Sequence, residues 1–351
     1  MLRSPRSASH RPCRARPRLL PPLLPSFLPT LAFAVAWAVA PLALAGAPVG
    51  GTRAPIIEVA RDLDFDDTIA RVYSPNVIFN KVTGEEKLIS SSEWRDVSSL
   101  LSKPGEWEQW EKRENRTRNS TFRYNIDFDG ETPFQDAIRA AIQQPPETWQ
   151  ARAWKDVVHM CSTPEGARRL RIITARGHHP RSMREGFQIL RDAGLIKYVP
   201  PLANFRPVYN LEVNPEDRPL DEAKSIEIRK RLDALERRAR RIGPDARIVY
   251  AVYEFGDDSP KNVRRALKMI EDEVAARGKN PWPHVDVLLR EIKDPGEDIL
   301  LRVKMESPTE TTTGVTTQVL TQEEFEEALS WGSSTYSPRM RACVGSRLTH
   351  H

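Results

Sequence analysis

The stretch from Leu170 to Leu289 constrains the fold more than any other, because strand-length apolar runs alternate along it with helical patterns. Leu170-Arg171-Ile172-Ile173-Thr174 is a short apolar run ending in a loop, and Met183, Phe187 and Leu190 follow at helical spacing. Residues 219–241 predict a helix with Ile228, Leu232 and Leu235 on one face. Arg237, Arg238, Arg240 and Arg241 then precede Gly243, which is ordinary helix-end chemistry. Arg247 to Phe255 is the strongest strand of the chain. A helix opens at Ser259-Pro260, carries Val263, Leu267, Ile270 and Val274 on one face, and closes at Gly278. A further strand is expected from Val285 to Leu289. Such alternation predicts an α/β fold with parallel strands, in which ligands bind beyond the carboxyl ends of the strands.

Three strand ends carry polar groups of one kind. Residues 56–63 read as a strand that runs into Asp64-Phe65-Asp66-Asp67-Thr68-Ile69. The second end is Thr174-Ala175-Arg176-Gly177, and the third is Gly256-Asp257-Asp258-Ser259-Pro260-Lys261-Asn262. Folding the sheet would gather Asp64, Asp66, Asp257 and Asp258 at one edge. Carboxylates so placed repel one another unless a cation joins them. Magnesium, with its preference for hard oxygen ligands and a substrate phosphate, suits the set.

Asp64-x-Asp66-x-Thr68 resembles the first motif of the haloacid dehalogenase superfamily. Thr174, at the end of an apolar strand, is similar to its second motif, and Asp257-Asp258-x-x-x-Asn262 to its fourth, in the two-aspartate variant. The likeness covers about residues 56–290. It implies a Rossmann-like, three-layer α/β core with a parallel sheet, and a Mg²⁺-dependent phosphohydrolase acting on a small phosphorylated substrate. By the same resemblance Asp64 would attack phosphorus and form an aspartyl-phosphate, and Asp66 would exchange protons with the leaving group and with water. Thr174 would hydrogen-bond the phosphoryl oxygens. Asp257, with Asp64, Asp66 and Asp258, would hold the metal. The superfamily also uses a lysine before the fourth-motif strand. Lys224 is the best match, and Lys230 the second. Arg61 and Asp62 depart from the pattern, standing where apolar residues are usual. A frame starting at Asp62 would put Asp66 where threonine belongs, and is rejected.

The long gap between Asp64 and Thr174 implies a cap-like insertion, residues 70–165, between core segments 56–69 and 166–305. Within it Arg71-Val72-Tyr73 and Asn76-Val77-Ile78-Phe79 look like short strands, and Thr132-Pro133 starts a helix. A second helical stretch is expected from Pro146 to Met160. Trp94, Trp107, Trp110, Trp149 and Trp154 read as core. His178 and His179 read as helix-entry residues, with a place facing substrate as the alternative, and no third ligand for zinc lies near them. Residues 306–351 form a tail: a flexible polar linker at 306–318, then a short helix from Thr321 to Ser330 with a Thr321/Glu324 capping box.

The first 45 residues have the three parts of a secretory signal. Six arginines occupy the first 18 positions, an apolar run spans Leu19 to Leu44, and Ala43-Leu44-Ala45 offers a cleavage site. Prolines at 21, 22, 25, 29 and 41 argue against a membrane-spanning helix. A Gly/Pro/Ala linker, 46–55, would follow. The expectation is a secreted or periplasmic protein without stable membrane association after cleavage. The net charge of +5 resides in the signal; without it 47 basic residues face 48 acidic ones, so no nucleic-acid partner is expected. Cys161 and Cys343 remain in the mature chain, and sequence leaves open whether they pair.

Overall fold

The computed structural model describes residues 57–241, 250–293, 295–309 and 312–330. The expected signal, the 46–55 linker, Arg247–Val249, Cys343 and the end of the tail lie outside the described residues. No helix of the described residues is long and apolar enough to cross a membrane.

Strand β1 (Ile57–Leu63) opens the described chain. A small antiparallel sheet follows, made of β2 (Asn76–Asn80), β3 (Glu86–Ile89) and β4 (Trp110–Glu111), with α1 (Ser91–Val97) between the last two. The helix is held at its start by a reciprocal capping box, Ser90 with Glu93. Four short helices come next: α2 (Pro133–Ala141), α3 (Pro146–Trp149), α4 (Trp154–Met160) and α5 (Pro164–Arg169). From there the predicted alternation runs as β5 (Leu170–Thr174), α6 (Pro180–Asp192), β6 (Phe205–Pro207), α7 (Leu220–Arg241), β7 (Tyr250–Asp257), α8 (Pro260–Arg277) and β8 (Val285–Glu291). The described chain closes with β9 (Ile299–Met305), β10 (Val315–Val319) and α9 (Gln322–Ser330).

The central sheet has the order β10-β9-β8-β7-β1-β5-β6. Strands β6, β5, β1, β7 and β8 run parallel, while β9 and β10 are antiparallel. It is therefore a largely parallel α/β sheet, compatible with a Rossmann-like fold. Chain connections leave β1 first toward β5 and β6 and later toward β7 and β8, so the carboxyl end of β1 is the reversal point where such sheets bind ligands.

Side chains alternate across β1. Val59 and Leu63 face one side, with Phe65, Phe134, Trp154, Val157, Phe187 and, toward the edge, Leu300 and Phe325. Ala60 faces the other, with Ile228, Leu232, Tyr253, Phe255, Val263, Ile270 and Trp282. Helices α2, α4, α5, α6 and α9 cover the first face, and α7 and α8 the second.

This alternation explains Arg61 and Asp62. Arg61 lies opposite Glu254 in the β1–β7 register and is buried. Its Nη1 is 2.9 Å from Asp156 of α4, and its Nε is 3.0 Å from Glu254, an ion contact without hydrogen-bond alignment. Arg290 joins the same group, 2.7 Å from both Asp156 and Asp298. Asp62, on the opposite face, accepts hydrogen bonds from Arg171 Nε (3.1 Å) and Tyr253 Oη (2.9 Å). Each buried charge has opposite charge or a donor beside it, the condition for burial of ions.

Several expectations need correction. The insertion divides: only β2–β4 and α1 have a core of their own, with Ile78, Ile89, Val97 and Leu101. Helices α2, α4 and α5 pack into the core of the central sheet. Residues 71–73 form no strand. The helix expected over 146–160 is broken, because Ala151 and Ala153 donate to the carbonyls of Ile69 and Thr68, and Arg71 donates to that of Trp149. The supposed flexible linker contains β10, whose β-branched Val315, Thr316, Thr317 and Val319 pair with β9. Helix α9 does begin with the Thr321/Glu324 capping box. Cys161 is a buried thiol without a disulfide among the described residues, pushed up to about 12 by burial.

Candidate functional site

Strand β1 delivers Asp64 to the sheet's carboxyl edge, where its amide donates to the carbonyl of Gly256 on β7 at 2.9 Å. The chain turns at once. Asp67 adopts φ 55°, a left-handed conformation that aspartate tolerates better than most residues. Ile69 and Ala70 then donate to the Phe65 carbonyl, which closes the turn. Thr68 is fully buried, and its hydroxyl oxygen accepts the Asp258 amide at 3.1 Å. The corner after β1 is thereby tied to the corner after β7.

Asp257, at the end of β7, is fully buried and well supported. Its Oδ1 accepts from the Ser259 amide at 2.9 Å, and Asn262 Nδ2 donates to both its oxygens at 3.0 and 3.1 Å. Asn262 can do so because it lies in the first turn of α8, started by Pro260.

Lys224 is the lysine brought here. It is buried on the first turns of α7, and its Nζ donates to Asp64 Oδ1 and Asp257 Oδ2, each at 2.8 Å. Lys230 instead pairs with Glu227, 2.8 Å away. Asp64, Asp257 and Asp258 each offer a carboxylate oxygen within 4.8 Å of the others. Burial pushes the Asp64 carboxyl well above its usual range; the Lys224 charge opposes this, and Asp257, Asp258 and Asp66 reinforce it. Burial works against the Lys224 ammonium, but Asp257 and Asp64 outweigh it and raise its pKa. Three hard oxygen donors this close together, two of them bridged by one ammonium, are a donor set that a divalent cation fits.

The Asp66 side chain is not one of those three. Arg176, 2% exposed, grips it: Nε lies 3.1 and 3.0 Å from its two oxygens and Nη2 also donates. Arg176 Nη1 donates to Ser74 Oγ at 2.9 Å. Thr174 ends β5, next to β1, fully buried, and its hydroxyl accepts the Arg176 amide at 3.3 Å.

The two histidines part company. His179 is the N-cap of α6, its Nδ1 accepting the Arg181 amide at 3.0 Å. His178 is not at the helix entry in that sense: it is fully buried beside Arg176 and 3.0 Å from Asp127. Arg176, Asp127 and Ser74 were missed from sequence. A polar residue two positions past Thr174 was the visible sign of Arg176, but its partner lies 110 residues away.

No family model matches the chain, and no curated protein or solved structure matches it.

Proposed function

We propose that the chain is a divalent-cation-dependent phosphohydrolase of the haloacid dehalogenase type, taking Mg²⁺ and a small phosphorylated substrate and acting after export. One observation carries the reading: Lys224 bridges Asp64 and Asp257 at 2.8 Å each, and Asp258 completes a close group of three carboxylates at the reversal point of the sheet. Two buried carboxylates sharing one lysine, with a third beside them, are costly for a purely structural role, whereas they match the demands of binding a cation beside a phosphate.

In this reading Asp64 Oδ attacks phosphorus, and the bond from phosphorus to the leaving oxygen breaks. Asp66, whose side chain is 28% exposed, gives its proton to that oxygen. Water then attacks the phosphorus of the aspartyl-phosphate, Asp66 takes the water's proton, and the bond to Asp64 breaks to release phosphate. Thr174 supplies a hydroxyl to a phosphoryl oxygen. Lys224 compensates the charge on Asp64 before and after each transfer. Asp64, Asp257 and Asp258 would hold the cation, which would offset the repulsion between carboxylate and phosphate. The small sheet β2–β4 is the part of the insertion suited to cover the site. The stretch that follows it, tied to β2 where Val77 donates to the Thr121 carbonyl, reaches the Thr174 loop, since Gly177 donates to the Asn125 carbonyl at 2.7 Å.

The test is hydrolysis of p-nitrophenyl phosphate with Mg²⁺ and with EDTA, beside Asp64→Asn. Mg²⁺-dependent turnover that vanishes in the variant supports the reading. Turnover unaffected by Asp64→Asn, or no turnover together with no Mg²⁺ binding, sinks it. Transfer of the phosphoryl group to an added alcohol in preference to water would reassign the reaction to a phosphotransferase.

A further inference from the structure

Arg176 is a buried cation whose partners are all accounted for by geometry. Phe65 and Phe134 flank its guanidinium, with ring centroids 5.3 and 5.4 Å from Cζ. Asp66 and Ser74 accept from it, and His178 Nε2 lies 3.3 Å from its Nη1. A guanidinium carries donors only, so the nitrogen facing it must present a lone pair. The His178 proton is therefore on Nδ1, which donates to Asp127 Oδ1 at 3.0 Å. Asp127 Oδ2 accepts the His179 amide at 2.6 Å, which leaves the carboxylate no freedom to turn away. Burial also holds the His178 pKa below its ordinary value, in keeping with a neutral ring. The hydrogen bonds thus point one way, from Arg176 through His178 to an aspartate of the inserted segment.

We propose that Asp127 and His178 are positioning residues for the acid–base step: they lock the Arg176 guanidinium, and Arg176 in turn aims the Asp66 carboxylate at the leaving-group oxygen. The inference rests on the phosphohydrolase reading above and extends it into the insertion. Asp66 holds the Nε and Nη2 side of the guanidinium, while His178 and the single Ser74 hydroxyl hold Nη1. A loosened Arg176 leaves the Asp66 carboxyl badly placed against the leaving-group oxygen.

The experiment compares kcat/KM of the full chain with Mg²⁺ on p-nitrophenyl phosphate, whose leaving group needs little protonation, and on phenyl phosphate, whose leaving group needs much. For His178→Ala the expected loss is about ten-fold or more with phenyl phosphate and less than about three-fold with p-nitrophenyl phosphate. His178→Gln puts an amide oxygen where Nε2 stood, and should bring phenyl phosphate turnover back toward wild type. If His178→Ala does not fold, Asp127→Asn carries the comparison. An amide cannot accept from both the His178 ring and the His179 amide through two oxygens, so it should show the same unequal loss. Equal losses on both substrates, a loss confined to KM, or no loss would overturn the proposal. A wild-type chain without Mg²⁺-dependent turnover overturns the phosphohydrolase reading, and this proposal with it.

Discussion

Lys224 and Asp64 meet at 2.8 Å although 160 positions separate them in the chain, and both are buried. The same ammonium touches Asp257, so one cation holds together two carboxylates that would otherwise repel. Lys224→Met should therefore lower stability by about 3–5 kcal/mol in EDTA, the scale of an uncompensated buried charge. Excess Mg²⁺ should restore part of that, because a bound cation takes over the compensation. Urea denaturation with and without the metal checks both, and activity should be lost in either condition.

Cation binding should need Asp257 more than Asp66. Asp257 belongs to the close carboxylate group, while Arg176 already occupies the Asp66 side chain. Asp257→Asn should weaken Mg²⁺ binding at least about ten-fold, and Asp66→Asn much less, since each lost carboxylate removes a hard charged ligand. Calorimetric titration of Mg²⁺ into the two variants decides it; equal weakening would place the cation nearer Asp66.

Gly177 is where the insertion presses on the loop after Thr174. A Cβ there would lie 2.5 Å from Ile126 Cγ2 and 2.8 Å from a ring carbon of Tyr209. Gly177→Ala should push the two segments apart, costing about 1–3 kcal/mol of stability. Activity should fall more than Gly186→Ala makes it fall, although Gly186 is as crowded, by the Phe134 ring. Thermal denaturation and rates for both variants check this.

Glu227 gives a pH signature. Burial pushes its carboxyl up, but the hydrogen bond and charge of Arg206, with Lys230 and Arg171, pull it below its ordinary 4.5. A folded pKa below the unfolded one means the ionised group contributes stability above the unfolded value, and that this is lost as pH falls through the folded value. Glu227→Gln should cost about 3 kcal/mol at neutral pH, and the gap from wild type should narrow as pH falls below the ordinary glutamate range. A gap independent of pH would show that packing, not charge, is what Glu227 supplies.

The sequence was most legible where local pattern and tertiary environment agree. β5, β7 and β8 are buried on both sides and read as largely apolar runs, and α8 has its proline start and its glycine end at φ 62°. The clustered acids at strand ends were legible too, since parallel strands must deliver them to one edge. Arg61 and Asp62 read as faults in the pattern because their partners, Asp156, Glu254, Arg171 and Tyr253, come from distant segments. The 146–160 break has the same origin: backbone groups of residues 68–71 claim the donors and carbonyls a continuous helix would use. β10 escaped notice because its residues are partly or fully exposed, which removes the apolar signal that marks an inner strand.

Strand β1 sits mid-sheet, yet its neighbours β5 and β7 arrive only with Leu170–Thr174 and Tyr250–Asp257. At translation rates of about 5–20 residues per second, roughly 10–40 s separate the emergence of Asp64 from that of Asp257. Through the first half of that interval the first strand has no bordering strand; β5 and then Lys224 follow, and Asp64 waits longest for its companion aspartates. The time order of the chain thus keeps the carboxylates apart until the ammonium of Lys224, made before Asp257, is already there to receive them.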